Sequence, residues 1–134
     1  RMSRGLGDVY KRQVGEVQAD REAAARRLAG MYHCIAVLKG RGTLIATPGG
    51  EVYHNPTGSA GLAKGGSGDI LAGLLSGLLA AGLKQGRTAE DAAIAAVWLH
   101  GAAGDRCAKR LGMAAMLPHD IFADLGAIFA ELER

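Results

Sequence analysis

Eight of the chain's 21 glycines fall between Gly58 and Gly82. The densest part, Gly58-Ser-Ala-Gly61-Leu-Ala-Lys-Gly65-Gly66-Ser67-Gly68-Asp69, runs directly into a strongly helical stretch. Without Cβ atoms in the way, successive backbone N–H groups can converge on one point, and the helix behind them adds unpaired donors and the positive end of its dipole. A phosphate is the natural occupant of such a turn. No GxxxxGK[ST] spacing can be laid on the segment. It also closes a long loop rather than a tight strand-to-helix turn, so it is not a dinucleotide fingerprint.

Asp69 is the carboxylate of that segment. Its position alone reads as ordinary N-terminal capping. A carboxylate beside an anion site is repelled by the occupant, however, unless it has a chemical task. A general base has one: it takes a proton from a substrate hydroxyl as that oxygen attacks phosphorus, while the amides of Gly66, Ser67 and Gly68 stabilise charge on the transferring group.

The rest of the chain supplies a frame for this loop. A helix is expected from Asp20, an N-cap, to a stop at Gly30. Cys34–Leu38 is a continuous apolar run of the kind buried on both faces in a parallel sheet. Lys39–Gly42 reads as a turn, Thr43–Thr47 and Glu51–Asn55 as a hairpin around Pro48-Gly49-Gly50, and Asn55–Gly68 as loop. From Asp69, Leu71, Leu74, Leu75, Leu78 and Leu79 recur at helical spacing, while Gly73 and Gly77 make a smooth second face for close packing. The uncharged stretch Ile70–Leu83 is 14 residues long, short of the ~20 that span a bilayer, and reads as a buried helix. Thr88–Asp91 starts a long helix through Trp98 and His100 towards Arg110, and Pro118 starts a last one with Ile121, Leu125, Ile128, Phe129 and Leu132 on its apolar side. A strand as apolar as Cys34–Leu38 needs neighbours on both sides that this chain does not supply. The expectation is therefore the C-terminal part of a larger α/β layered domain.

Composition narrows the function. Apolar residues make up 49% of the 134, which excludes wholesale disorder, and aromatics only 4%, so the core rests on small aliphatic side chains. The net charge of +3 belongs to residues 1–13, where Arg1, Arg4, Lys11 and Arg12 face Asp8 alone. The remainder is neutral, so no basic surface for nucleic acid is expected. Residues 1–13 read as an unrelated or disordered tail, of a kind that expression or read-through artefacts also produce. Cys34 and Cys107 lack CxxC spacing and read as reduced thiols, and His33, His54, His100 and His119 lack metal-ligand spacing. Lys39 and Arg41 read either as a solvated turn or as contacts to a nucleotide at the sheet's edge. Lys64 pairs a phosphate or is simply exposed, and His100-Gly101 with Gly104-Asp105 reads as close helix packing more readily than as catalysis.

Val37-Leu-Lys-Gly-Arg-Gly-Thr43, Asn55-Pro-Thr-Gly58, Gly61-Leu-Ala-Lys-Gly-Gly-Ser-Gly-Asp-Ile-Leu-Ala-Gly73 and His100-Gly-Ala-Ala-Gly-Asp105, in this order, resemble the C-terminal half of the ADP/ATP-dependent NAD(P)H-hydrate dehydratases of the ribokinase-like superfamily. The resemblance covers roughly residues 14–134. It implies the C-terminal portion of a ribokinase-like layered α/β domain, and a metabolite-repair lyase that returns NADHX or NADPHX to NADH or NADPH at the expense of ADP, or of ATP in eukaryotic members. By resemblance Lys39, Gly40, Arg41, Gly42 and Thr43 contact the adenine nucleotide and Gly65, Gly66, Ser67 and Gly68 cradle its phosphates. Asp69 meets the substrate and activates its hydroxyl, and Mg2+ offsets phosphate charge. A cytoplasmic homo-oligomer without nucleic-acid or membrane partners, with a fused epimerase domain as an option, is also implied. Ser59 departs from the Asn frequent in the family. The family's N-terminal half, with most hydrate contacts, is not in these residues, so the chain is expected to be inactive alone. The alternatives are a ribokinase-like kinase of the vitamin-precursor type and a non-catalytic nucleotide-binding fragment.

Overall fold

The structure, a computed structural model, describes residues 20–134. The basic tail, residues 1–13, lies outside the described residues. Helix α1, Arg21–Tyr32, opens on Asp20, whose side chain accepts from the Ala23 N–H at 2.9 Å. Such a cap contributes about 1 kcal/mol. The helix does not stop at Gly30 as the sequence suggests. It ends at His33, which takes a left-handed conformation (φ 49°) and returns its N–H to the Ala29 carbonyl.

Three short strands follow: β1 (Ala36–Leu38), β2 (Leu44–Ala46) and β3 (Val52–His54). They form an antiparallel meander in that order, with Val37 opposite Ile45 and Ile45 opposite Tyr53. Among the described residues β1 therefore pairs only with β2, antiparallel, and leaves its other edge open, with half-buried side chains. The strand buried on both faces is β2. Its Leu44 and Ala46 pack on Ala25 and Ala29 of α1, and Ile45 points to the opposite layer. Antiparallel pairing won because the hairpin and the short turn before it return the chain at once.

The second layer is helical. Helix α2 runs Ser67–Lys84 and helix α3 Ala89–Leu111, the latter opened by a capping box in which Thr88 and Asp91 exchange side-chain and backbone bonds of 2.9 and 3.0 Å. Leu71 with Ala93, Ala96 and Val97 meets Ile45 from this side, so helix packing joins the sheet to the glycine-rich loop. Helix α4, Ile121–Leu132, covers the far face of α3 through Leu99, Ala103, Cys107, Ile121, Leu125 and Ile128. Arg110 there donates to the buried Asp124 at 2.7 Å. Leu132, placed on the apolar side by spacing, is exposed.

One further expectation changes. Helix α2 is long and apolar enough, by length and composition, to cross a membrane, yet only 11% of it is buried among the described residues. It packs by its leucine face on α3 and α4, while a methyl added at Gly73 or Gly77 would meet nothing within 4 Å. Among the described residues the helix is thus covered on one face only. Gly101 and Gly104 lie within the continuous helix α3 and are close contact points, as the packing reading expects, although what they meet is the loop 55–62. A Cβ at Gly101 would lie 2.7 Å from the Thr57 carbonyl carbon, and one at Gly104 2.5 Å from Leu62.

Gly101→Ala is therefore expected to destabilise the chain by about 1–3 kcal/mol, because backbone must move. Gly77→Ala, in an open helical position, is expected to stabilise it by about 0.5–1 kcal/mol. Urea unfolding midpoints measure both, and equal shifts of the same sign would contradict the packing described.

Candidate functional site

Four segments wall a cleft of about 710 Å³: the turn 39–43, the loop 55–63, Ser67 and Leu71 of α2, and Val97, His100 and Gly101 of α3. This is the size of a small-molecule site. Its floor is apolar, from Leu62, Leu71 and Val97, and its charged lining residues are Lys39 and Arg41. An anion with an apolar body suits it.

The turn after β1 is built to hold a fixed shape. Gly42 takes φ +65°, and the Thr43 hydroxyl donates to the Gly40 carbonyl at 3.2 Å. Arg21 holds it from below, donating to the Arg41 carbonyl at 2.7 Å and the Leu38 carbonyl at 3.2 Å. Its guanidinium lies 2.7 Å from where a Gly40 Cβ would stand, so a side chain there would displace Arg21 from the turn. Sequence reasoning missed Arg21. The available signal was a cation at the first position of a helix, where the dipole disfavours it.

The loop 55–58 is fixed to α3. Gly58 donates its N–H to Asp105 at 2.9 Å, Asn55 donates to the Thr57 carbonyl at 2.9 Å, and the Thr57 hydroxyl lies 3.0 Å from the Trp98 carbonyl. Asp105 and Gly101 thus serve the loop, as the packing reading expects. Beyond it the Ala60–Leu62 turn packs its Gly61 against Met116.

Helix α2 begins at Gly66, whose φ of +95° suits glycine and whose position carries no side-chain cap. Among the described residues no acceptor takes the N–H groups of Gly65, Gly66 or Gly68. The Ser67 N–H goes to the Lys64 carbonyl at 3.3 Å and that of Asp69 to the Gly66 carbonyl at 3.1 Å. Of the cradle expected from sequence, the glycine amides are free and the Ser67 amide is engaged. Lys39 Nζ stands 3.2 Å from the site of a Gly68 Cβ, which places an ammonium on this turn. The structure thus brings Lys39 and Gly68 together. Gly65, Gly66, Gly68 and Asp69 are not among the residues lining the cleft, and Asp69 is exposed in the first turn of α2.

Lys64 is not simply exposed: it is engaged within the protein. Its ammonium donates to the carbonyls of Met113, Ala114 and Met116, at 3.1, 2.9 and 2.5 Å, and so ties the glycine-rich loop to the segment after α3.

His100, read from sequence as packing, reaches the site. It is buried, with Nε2 3.0 Å from the Ser67 carbonyl and 3.2 Å from the Ser67 hydroxyl. A carbonyl can only accept, so Nε2 carries the proton of the neutral ring. Burial pushes its pKa below the ordinary 6.5, the bond to Ser67 opposes this, and repulsion from the Lys39 ammonium adds to the lowering. The ring is neutral at pH 7 and anchors the first residue of α2 to α3. Among the described residues no three His, Cys, Asp or Glu side chains converge as a metal site.

The His100 pKa has a consequence for stability. The folded state binds its proton less readily than the unfolded one, so this contribution is present above about pH 6.5 and is lost as pH falls through the depressed folded value. Unfolding midpoints are expected to drop between pH 7.5 and 5.5, and His100→Gln to flatten that drop. An unchanged slope in the variant would remove the assignment.

The profile of the family described as NAD(P)H-hydrate dehydratase matches residues 4–126. An ADP-dependent (S)-NAD(P)H-hydrate dehydratase of Neisseria meningitidis is 48% identical over 104 residues, 78% of this chain and 34% of that protein. A bifunctional NAD(P)H-hydrate repair enzyme of Moorella thermoacetica is 41% identical over 133 residues, 99% of this chain and 24% of that protein. Among solved structures, the ADP/ATP-dependent NAD(P)H-hydrate dehydratase of Bacillus subtilis, co-crystallised with ATP and Mg2+, superimposes with a TM-score of 0.81 at 34% identity, covering 88% of this chain and 41% of that one. The chain spans between about a quarter and two fifths of the length of these relatives.

Proposed function

Because the chain belongs to the NAD(P)H-hydrate dehydratase family, we propose that it forms the nucleotide-binding part of an active site that repairs hydrated NADH or NADPH with ADP or ATP. The observation that carries this reading is the Lys39 ammonium beside Gly68, on a turn where the amides of Gly65, Gly66 and Gly68 have no acceptor among the described residues. The cleft beside it takes the nucleoside, and the turn 39–43, held rigid by Arg21, forms its wall.

In this reading Asp69 takes the proton of the hydrate's hydroxyl as its oxygen forms a bond to the terminal phosphorus. The bond from that phosphorus to the nucleotide's bridging oxygen breaks, and AMP leaves when ADP is the donor. The glycine amides and Lys39 hold the charge on the transferring group. Departure of phosphate, with loss of a neighbouring ring proton, then restores the double bond. Mg2+, when bound, would neutralise phosphate charge. It is usually carried by the nucleotide and water rather than by a protein cage.

The open face of α2 and the edge of β1 are surfaces that the remainder of a longer domain would cover, and hydrate contacts would come from there. This supports nucleotide binding without turnover by these residues alone. The free thiols, Cys34 exposed and Cys107 buried, suit a reducing cytoplasm.

In a full-length family member carrying this segment, Asp69→Asn is expected to lower turnover by about 10²-fold or more with nucleotide affinity near normal. NADH formation from its hydrate plus ADP, followed by absorbance, measures it. Unchanged turnover would remove the base assignment, and phosphorylation of a small alcohol without NADH formation would replace the dehydratase by a kinase.

A further inference from the structure

Arg21 is the first residue of α1, where the positive end of the helix dipole repels a cation. Among the described residues no carboxylate compensates it with an ion pair. Its guanidinium instead reaches the turn after β1 and donates to two carbonyls, that of Leu38 at 3.2 Å and that of Arg41 at 2.7 Å. These carbonyls stand on either side of Lys39 and Gly40. Gly40, at φ +152°, lets the guanidinium lie against its backbone. Two donors at a fixed angle hold two points of a turn, which a single ammonium does not.

What this clamp sets is the place of Lys39. The strands flanking the turn are three residues each, and the turn's own bond, from the Thr43 hydroxyl to the Gly40 carbonyl at 3.2 Å, lies beyond Lys39. From the clamped segment Lys39 extends to Gly68, with its Nζ 3.2 Å from the site of a Gly68 Cβ. Arg21 is not among the residues lining the cleft, so it does not meet the occupant itself. Nor does α1 depend on it for docking, because Ala25 and Ala29 pack on Leu44 and Ala46. Arg26, further along α1, makes a comparable bond to the Gly50 carbonyl at 3.1 Å, and Gly50 lies outside the cleft lining. We infer that Arg21 is a positioning residue: its clamp on both sides of Lys39 fixes the ammonium beside Gly68 and so strengthens binding of the nucleotide's phosphates. This rests on the nucleotide reading above and adds to it the residue that sets its cation.

Calorimetric titration of the full chain with ADP, and the His100 ring titration followed by NMR without ligand, test it together. Arg21→Gln and Arg21→Lys are each expected to weaken ADP about fivefold, the scale of one hydrogen bond, whereas Arg26→Gln leaves it level. In a Lys39→Met background Arg21→Gln is expected to cost less than about twofold further, because the group it positions is gone. Burial lowers the His100 pKa, the Ser67 bond raises it and the Lys39 ammonium lowers it further, so His100 is expected to titrate higher in Arg21→Lys than in wild type. Arg21→Lys keeps the charge, so wild-type ADP affinity in that variant would reduce Arg21 to its charge and overturn the positioning role. So would an undiminished loss in the Lys39→Met background, or an equal loss in Arg26→Gln, since either marks a general loosening of α1. An unmoved His100 midpoint would overturn it whether or not ADP binds. If wild type binds no ADP, the nucleotide reading falls, while a raised His100 midpoint keeps Arg21 as the residue that positions Lys39.

Discussion

At the entry to α2, glycine N–H groups have no acceptor among the described residues, and much of the structure holds them that way. Helix starts usually satisfy such donors with a capping side chain, but Gly66 offers none. Rigidity comes from outside the helix. His100 reaches across from α3 to the Ser67 carbonyl, Lys64 ties the preceding loop to the segment after α3, and Lys39 brings a cation from the sheet. Preorganised backbone donors bind an anion without first having to assemble, and the nearby ammonium adds attraction.

The same contacts explain why small residues dominate the interior. Gly101 and Gly104 let the loop 55–62 lie directly on α3, and the alanines of α1 and α3 bring both helices close to β2. Larger side chains there would lift the walls of the cleft away from its floor. The glycine content thus serves two purposes, donors at the start of α2 and close approach along α3.

The glycine-rich loop, the hairpin and the order of elements were legible in the sequence because each rests on local backbone chemistry. Glycine and proline mark the turns, Thr88 with Asp91 marks a capping box, and Asp20 marks a cap. What sequence could not give was pairing. An apolar run such as Cys34–Leu38 does not tell which partner it will find, and β2 rather than β1 proved to be the strand with both faces covered. Long-range side-chain roles were equally hidden. Arg21 and His100 act through carbonyls 17 and 33 residues away, and Lys64 through carbonyls beyond α3. Only the misplaced cation at the start of α1 hinted at any of them.

The central claim is that the amides of Gly65, Gly66 and Gly68 receive the nucleotide's phosphates. Amide NMR spectra of the chain titrated with ADP and, separately, with adenosine test it most directly. With ADP these three resonances should move downfield as hydrogen bonds form, while adenosine should perturb the cleft residues and leave them in place. If ADP shifts the turn 39–43 and leaves the glycine amides unmoved, the phosphates bind elsewhere and the account is wrong.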